Sequence, residues 1–251
     1  MKTIRKLFCV IVLAAVFLMT ACDDTGNDAG NIDHIDDNNV PTHYSGSLTI
    51  NGQQVWERNI NSNRVNEDSY YKYKGNADVI VLTDFSYDGQ GNLTPYPKPA
   101  GSGKINNGIL SFEAAPLEQE NMVDTDALKI FFKEYDAVKI EPQETMGNAI
   151  MLVTSDGKYY LNREGVIGLN SSLIMEFILY MYVDRNCRIT GSPSEGPAGD
   201  YFYRTDSALD ISFKKGWNTL CRISNWDKSG YENVSMEIEN PNNFKWAIVE
   251  F

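Results

Sequence analysis

The amino-acid sequence predicts a mainly β fold, with antiparallel β-sandwiches built from hairpins and one short helix near residues 125–135. Turn-forming Asn, Asp and Gly residues recur about every ten residues, and the segments between them are rich in β-branched and aromatic residues. Only the segment 125–135 repeats its apolar residues at helical spacing. A run at 173–183, "LIMEFILYMYV", contains a single charge, which predicts a strand buried on both faces.

The chain opens with the basic stretch "MKTIRK", which is followed by thirteen uncharged residues and then by "TAC" at 20–22. This apolar run is shorter than the roughly 20 residues that a membrane-spanning helix needs, and it is typical of the central region of a secretory signal. The segment resembles a bacterial lipoprotein signal, with Met19 where the lipobox usually has Leu. The resemblance implies a signal peptide over 1–21 and a membrane anchor of acyl chains, such as palmitate, on Cys22. The alternative is an ordinary signal peptide that is cut elsewhere.

Residues 22–43 are predicted to form an acidic, disordered tether. Six Asp and no Lys or Arg lie between residues 23 and 40, and such a segment has too little apolar surface to offset its ordering entropy. An acid directly after a lipidated cysteine resembles lipoprotein sorting signals of two-membrane bacteria. We therefore expect the cell envelope as the location and favour the outer membrane or the cell surface, with the periplasmic face of the inner membrane as the alternative.

The charge of the chain bears on its partners. The formal net charge is −12, and it becomes −15 without residues 1–21, which contain three basic and no acidic residues. An acidic body repels phosphate backbones, so the sequence predicts no nucleic-acid partner.

The rest of the chain is predicted to form an N-terminal β-module over 44–140 and a C-terminal one over 141–251, or one continuous domain. The turn dipeptides Asn51-Gly52, Asn107-Gly108 and Asp156-Gly157 predict hairpin tips. The helix is indicated by acids at its start and by an apolar stripe of the residues Leu128, Phe131, Phe132 and Tyr135.

Two cysteines remain beyond residue 22, and both lie in strand-like segments that read Cys-Arg-Ile. In an exported protein this pattern predicts a disulfide between Cys187 and Cys221. The alternative is a pair of buried free thiols in neighbouring strands.

The sequence indicates no catalytic apparatus. Its two histidines, His34 and His43, lie in or beside the tether, so a Ser-His-Asp or Cys-His arrangement and a histidine-rich zinc site are excluded within the domain. Phosphate-binding and nucleophile-elbow motifs are also missing. We therefore predict a non-enzyme without cofactor or metal. A hydrolase acting through a pair of carboxylates is the alternative, because the chain has many acids.

Aromatic residues near turns are the candidate ligand-binding residues: Tyr70, Tyr87, Tyr96 and Trp226. In "YYKYK", strand alternation predicts that Tyr71 and Tyr73 face inward and Tyr70 outward. The alternative is that these rings are half-buried strand residues.

The segments "YMYVDRNCRITGS" and "KKGWN" resemble β-rich bacterial lipoproteins for which no activity is known. With the signal, the sequence predicts a lipid-anchored binding or adhesion module for a glycan or a protein. A structural or assembly accessory of the envelope is a further alternative.

Overall fold

The computed structural model describes residues 42–58, 70–84, 86–87, 93–94, 97–169, 172–198, 201–226, 231–238 and 244–250. The predicted signal peptide, Cys22 and Tyr96 lie outside these ranges. Within them, no helix is long and apolar enough to cross a membrane.

Strands dominate the described residues. They are β1 (His43–Tyr44), β2 (Leu48–Arg58), β3 (Tyr70–Lys72), β4 (Ala77–Thr83), β5 (Ser86–Tyr87), β6 (Leu93–Thr94), β7 (Pro99–Asn106), β8 (Ile109–Ala114), β9 (Asp136–Glu141), β10 (Gly147–Thr154), β11 (Tyr159–Leu169), β12 (Ser172–Val183), β13 (Cys187–Ser192), β14 (Glu195–Ala198), β15 (Tyr201–Arg204), β16 (Leu209–Phe213), β17 (Gly216–Trp226), β18 (Tyr231–Glu237) and β19 (Lys245–Glu250).

The main sheet closes into a barrel of eight strands in the order β10, β4, β7, β8, β2, β19, β11 and β12. The barrel closes at β10. One edge of β10 pairs with β4, and the other edge pairs first with its hairpin partner β11 and then with β12. The mainly β prediction is therefore confirmed. The strands of this sheet form a closed barrel where two stacked sheets of a sandwich were expected, because β12 pairs back onto β10.

Beyond the barrel, the same sheet continues from β12 through β17, β18, β15 and β14. Most neighbours are antiparallel, but β19 pairs with β2 and β15 with β18 in parallel. Strands from both halves of the chain thus share one sheet, since β19 lies beside β2 and β10 beside β4.

A second layer covers the far side of β12, β17 and β18. It consists of a three-stranded sheet in the order β16, β13, β9 and of the helical segment before β9. Two large apolar clusters result: an interior cluster inside the barrel, which includes Phe112, Tyr180 and Trp246, and an interlayer cluster, which includes Phe132, Met181 and Leu220. Because Tyr180 and Met181 are adjacent in β12, this strand is buried on both faces here, as the sequence predicted.

The predicted helix is confirmed but short. Helix α1 (Thr125–Leu128) continues as a 3-10 turn at Lys129–Phe132. The side chain of Asp124 caps α1 by accepting hydrogen bonds from the backbone N–H groups of residues 126 and 127, both at 3.0 Å. The apolar stripe packs into the interlayer cluster.

Two of the three predicted hairpin tips are confirmed. Asn107 and Gly108 both have positive φ between β7 and β8, and Gly157 has a φ of 69° between β10 and β11. The prediction for Asn51-Gly52 is wrong. Strand β2 runs through this dipeptide, and the register against β8 shifts between Ile50 and Gln53. Gly52 (φ 72°) therefore serves a bulge within a strand.

Candidate ligand-binding cleft

The structure does not bring the predicted aromatic residues together on a surface. Tyr70 is 8% exposed, and its hydroxyl donates a hydrogen bond to Glu164 Oε1 at 2.8 Å, so its assignment as an exposed ligand residue is wrong. Trp226 is 6% exposed and is also buried. Tyr71, predicted to face inward, is 59% exposed. The side chain of Tyr87 and the whole of Tyr96 lie outside the described residues.

Cys187 and Cys221 are buried thiols that no disulfide joins, so the predicted disulfide is not formed. Cys187 packs in the interlayer cluster and Cys221 in the interior cluster, which lie on opposite faces of the main sheet. Burial raises the pKa of the Cys187 thiol to about 11. A cleft of about 370 Å³ beside Cys187 therefore contains a protonated thiol at neutral pH, which is a poor nucleophile.

Another cleft formed by the described residues has a volume of about 660 Å³. It lies between a 3-10 turn at Gln119–Asn121 and the chain before β7. Its lining residues are Lys98, Glu118, Gln119, Glu120, Met122 and Met146. This volume is within the roughly 300–1,000 Å³ of small-molecule sites. We call it the turn cleft.

The backbone around Lys98 is fixed to the barrel. Its N–H donates to Thr83 Oγ1 at 3.1 Å, and its carbonyl oxygen accepts from the N–H of Thr83 at 2.9 Å. Prolines at 97 and 99 restrict the chain on both sides of the lysine. The Lys98 Nζ then donates to the carbonyl oxygen of Glu120 at 2.8 Å, which joins the two walls of the cleft.

The opposite wall is held by β10. The Asn148 side chain donates to the carbonyl oxygen of Asn121 at 3.0 Å, and Val123 forms a β-bridge with Gly147. Strand β5, which contains Tyr87, lies against the 3-10 turn. Among those of the predicted aromatic ligand residues that the structure describes, Tyr87 is thus the one whose backbone is placed beside the cleft.

The turn cleft combines an ammonium, two carboxylates, an amide and two thioethers. These groups donate and accept hydrogen bonds over an apolar floor, an arrangement that suits a polar ligand with hydroxyl groups. Sequence reasoning missed Lys98. The flanking prolines, which hold a lone cation in an extended loop, were the signal that could have identified it.

Two other carboxylates of the described residues are buried and share one cation. Glu134 and Glu232 are 8% and 3% exposed, and Arg222 Nη2 lies 3.3 Å from Glu134 Oε1 and 3.1 Å from Glu232 Oε1. Neither acid lines either of the two clefts. The described residues also contain no cluster of three or more His, Cys, Asp or Glu that could hold a metal ion.

Comparisons of the chain with protein-family models, with curated proteins and with solved structures find no match.

Proposed function

We propose that this chain is a lipid-anchored lipoprotein of the bacterial cell envelope and that its barrel binds a ligand without catalysis. The ligand class is a glycan, or a protein that carries similar polar groups. The turn cleft supports this proposal, because it offers mixed donors and acceptors without a buried nucleophile or a histidine. The outer membrane or the cell surface is the favoured location.

Lipidation is tested at Cys22. Replacing Cys22 with Ala should abolish incorporation of a palmitate analogue and leave uncleaved precursor or a differently processed form, because the acylated thiol is removed. Gel mobility and labelling in the host measure this. The matched control is Cys9→Ala, which changes a cysteine inside the signal and should be labelled normally. Full labelling of the Cys22→Ala variant would disprove the lipoprotein proposal.

Ligand binding is tested with a glycan array on the purified protein, followed by titration of the best glycan. Lys98→Ala should weaken binding about tenfold or more, because it removes a charged donor and loosens the two walls of the cleft. Lys104→Ala is the control, since Lys104 is an exposed lysine of the neighbouring β7 that does not line the cleft. Equal loss in both variants would point to net charge, not to the cleft.

The aromatic contribution is tested at Tyr87. If its ring stacks on the ligand, Tyr87→Ala should weaken binding about thirtyfold, which corresponds to ~2 kcal/mol. Tyr71→Ala removes another tyrosine that does not line the cleft and should leave the affinity unchanged. Each variant is first compared with the parent by thermal unfolding.

The alternative, a carboxylate-dependent hydrolase, would use Glu118 and Glu120, because these are the two acids of the cleft. Product analysis on the arrayed glycans separates the alternatives. Turnover that is lost in Glu118→Gln or Glu120→Gln, with binding retained, would replace the binding proposal. A chain that shows neither binding nor turnover would fit the structural-accessory alternative.

A further inference from the structure

Arg163 is a buried cation that the described residues do not neutralise. Its side chain is 1% exposed, and it lies on the same face of β11 as Leu161, which belongs to the interior cluster. Its Nη1 donates to the hydroxyl of Tyr180 at 3.2 Å, whereas Nε and Nη2 have no hydrogen-bond partner. A buried guanidinium without a counter-charge is costly, so this side chain indicates an anionic partner.

A second orphaned donor lies on the same side of the sheet. The Nε1 of Trp217 is fully buried and has no acceptor among the described residues. The ring of Trp217 packs edge-on against Tyr182, at 5.2 Å between centroids, and Tyr182 lies on the same face of β12 as Tyr180. Two independent side chains therefore present unused N–H groups to the interior cluster.

Tyr44 connects these two residues. It is the direct cross-strand partner of Trp217, so both side chains project from the same face of the ladder. Its hydroxyl interacts electrostatically with Tyr180 and with Arg163, and burial raises its pKa to about 12, which keeps it protonated as a donor. Tyr44 is half-buried, whereas Arg163, Tyr180 and Trp217 are buried, so Tyr44 lies nearest to the surface.

An acid on the same face of the neighbouring strand forms no ion pair with Arg163. Glu176 lies on β12 opposite Gly165, on the same face as Tyr180, and its Oε2 is 3.0 Å from the position that a Cβ on Gly165 would take. Within the described ranges, no ion pair joins Glu176 or another carboxylate to Arg163. Arg163 therefore lies inside the barrel without an ion-pair partner among the described residues.

We propose that Arg163, Tyr44, Tyr180 and Trp217 form a second binding site, separate from the turn cleft, that takes the carboxylate of a small organic acid. A monocarboxylate fits better than a phosphate, because one guanidinium compensates one negative charge and the surroundings are apolar. Tyr180 also stacks on Trp246, with 6.1 Å between the ring centroids, and Trp246 packs edge-on against Phe112, with 5.6 Å between centroids. An apolar or aromatic part of the ligand would lie against these rings. Eight-stranded barrels are of a size that can hold one small ligand.

The test is calorimetric titration and thermal unfolding of the purified protein with octanoate, with octanamide as the neutral analogue of the same length, and with inorganic phosphate at equal ionic strength. Octanoate should bind saturably and raise the melting temperature, and octanamide and phosphate should not. Equal stabilisation by phosphate would overturn the carboxylate assignment, and equal stabilisation by octanamide would overturn the role of charge. Octanoate binding that does not saturate in the low millimolar range would overturn the site.

Arg163→Met is the central variant, because it keeps the volume and removes the charge. We expect it to lower octanoate affinity roughly ten- to a hundredfold and, without octanoate, to melt at or above the temperature of the parent, since an unpaired buried charge is removed. The control is Arg188→Met, which removes an exposed guanidinium paired with Asp210. Unchanged octanoate affinity in Arg163→Met would overturn the proposal.

Two milder variants keep the test decisive if Arg163→Met does not fold. Tyr44→Phe and Trp217→Phe each remove one donor and keep an aromatic ring, and each should weaken octanoate binding several-fold. Parental affinity in both variants would overturn the site. Glycan binding at the turn cleft should remain unchanged throughout, so failure of this site is distinguishable from failure of the proposed function.

Discussion

Replacing Arg222 with Met is expected to lower the free energy of unfolding by about 3–5 kcal/mol, because the change leaves two buried carboxylates without their shared cation. Arg222 Nη2 lies within 3.3 Å of both Glu134 and Glu232, and its Nη1 donates to Ser224 Oγ. Glu134 belongs to the segment after α1 and Glu232 to β18, so the guanidinium also links the second layer to the main sheet. Urea unfolding at pH 7, followed by tryptophan fluorescence, measures the change.

The matched control is Arg204→Met. Arg204 pairs with Asp206, and both side chains are largely exposed, so this variant should lose less than about 1 kcal/mol. Combining Arg222→Met with Glu134→Gln and Glu232→Gln should restore most of the stability, because neutral amides need no counter-charge. If Arg222→Met unfolds at the same urea concentration as the control, the two acids do not depend on Arg222.

This network also bears on the hydrolase alternative. Sequence reasoning left a catalytic carboxylate pair open because acids are numerous, and counting them gives no positions. Among the buried acids of the described residues, Glu134 and Glu232 share Arg222 as their cation, and Glu164 accepts a hydrogen bond from the Tyr70 hydroxyl. A pair of acids fixed in this way stabilises the packing of the two layers, and neither acid lines a cleft.

Features that depend only on residues close together in the sequence were predictable. The turns at Asn107-Gly108 and Asp156-Gly157 follow from the positive φ that these residues accept, and the start of α1 follows from Asp124 as its cap. The burial of β12 follows from its uninterrupted apolar run. Each of these signals is contained within about a dozen residues.

Features that depend on which strands meet were not predictable. The Asn51-Gly52 dipeptide suits both a hairpin and a bulge, and only the pairing of β2 with β8 selects the bulge. Alternation in "YYKYK" separates Tyr70 from Tyr71 but does not say which face is covered. In the fold Tyr70 packs with Val153 and Tyr160 on the outside of the barrel.

The wrong disulfide prediction and the unrecognised burial of Arg163 have the same cause. Similar flanking sequences suggested that Cys187 and Cys221 pair, but β13 and β17 belong to different sheets. Arg163 appears in the sequence as one charge in a strand of mixed character, "LNREGVIG". Barrel closure places it inside, and a single sequence contains no sign of that closure.

The carboxyl group of Asp84 is expected to make a contribution to stability that falls as the pH rises from about 4 to about 7. Asp84 follows β4, and its N–H donates to the carbonyl oxygen of Ala149 at 3.0 Å. Burial raises the pKa of its side chain to about 7, and no cation pairs with it in the described part of the chain. The unfolded chain has the ordinary value of about 3.9.

The sign follows from proton binding. Between the two pKa values the folded state holds a proton that the unfolded state has released, so each pH unit costs about 1.4 kcal/mol of stability and the full interval roughly 4 kcal/mol. Asp84→Asn removes this dependence. The variant should match the parent near pH 4 and exceed it by up to roughly 4 kcal/mol above pH 7.

Urea unfolding of both proteins at half-unit steps from pH 4 to pH 8 measures the difference. Taking the difference between the two is necessary, because Asp156, Asp184 and Asp210 have lowered pKa values and make the parent more stable as the pH rises. Asp78→Asn, on the exposed side of the same strand, is the control and should stay within about 0.5 kcal/mol of the parent at every pH. A constant difference between parent and Asp84→Asn across the range would show that the Asp84 carboxyl is ionised in the folded protein, and it would contradict the prediction.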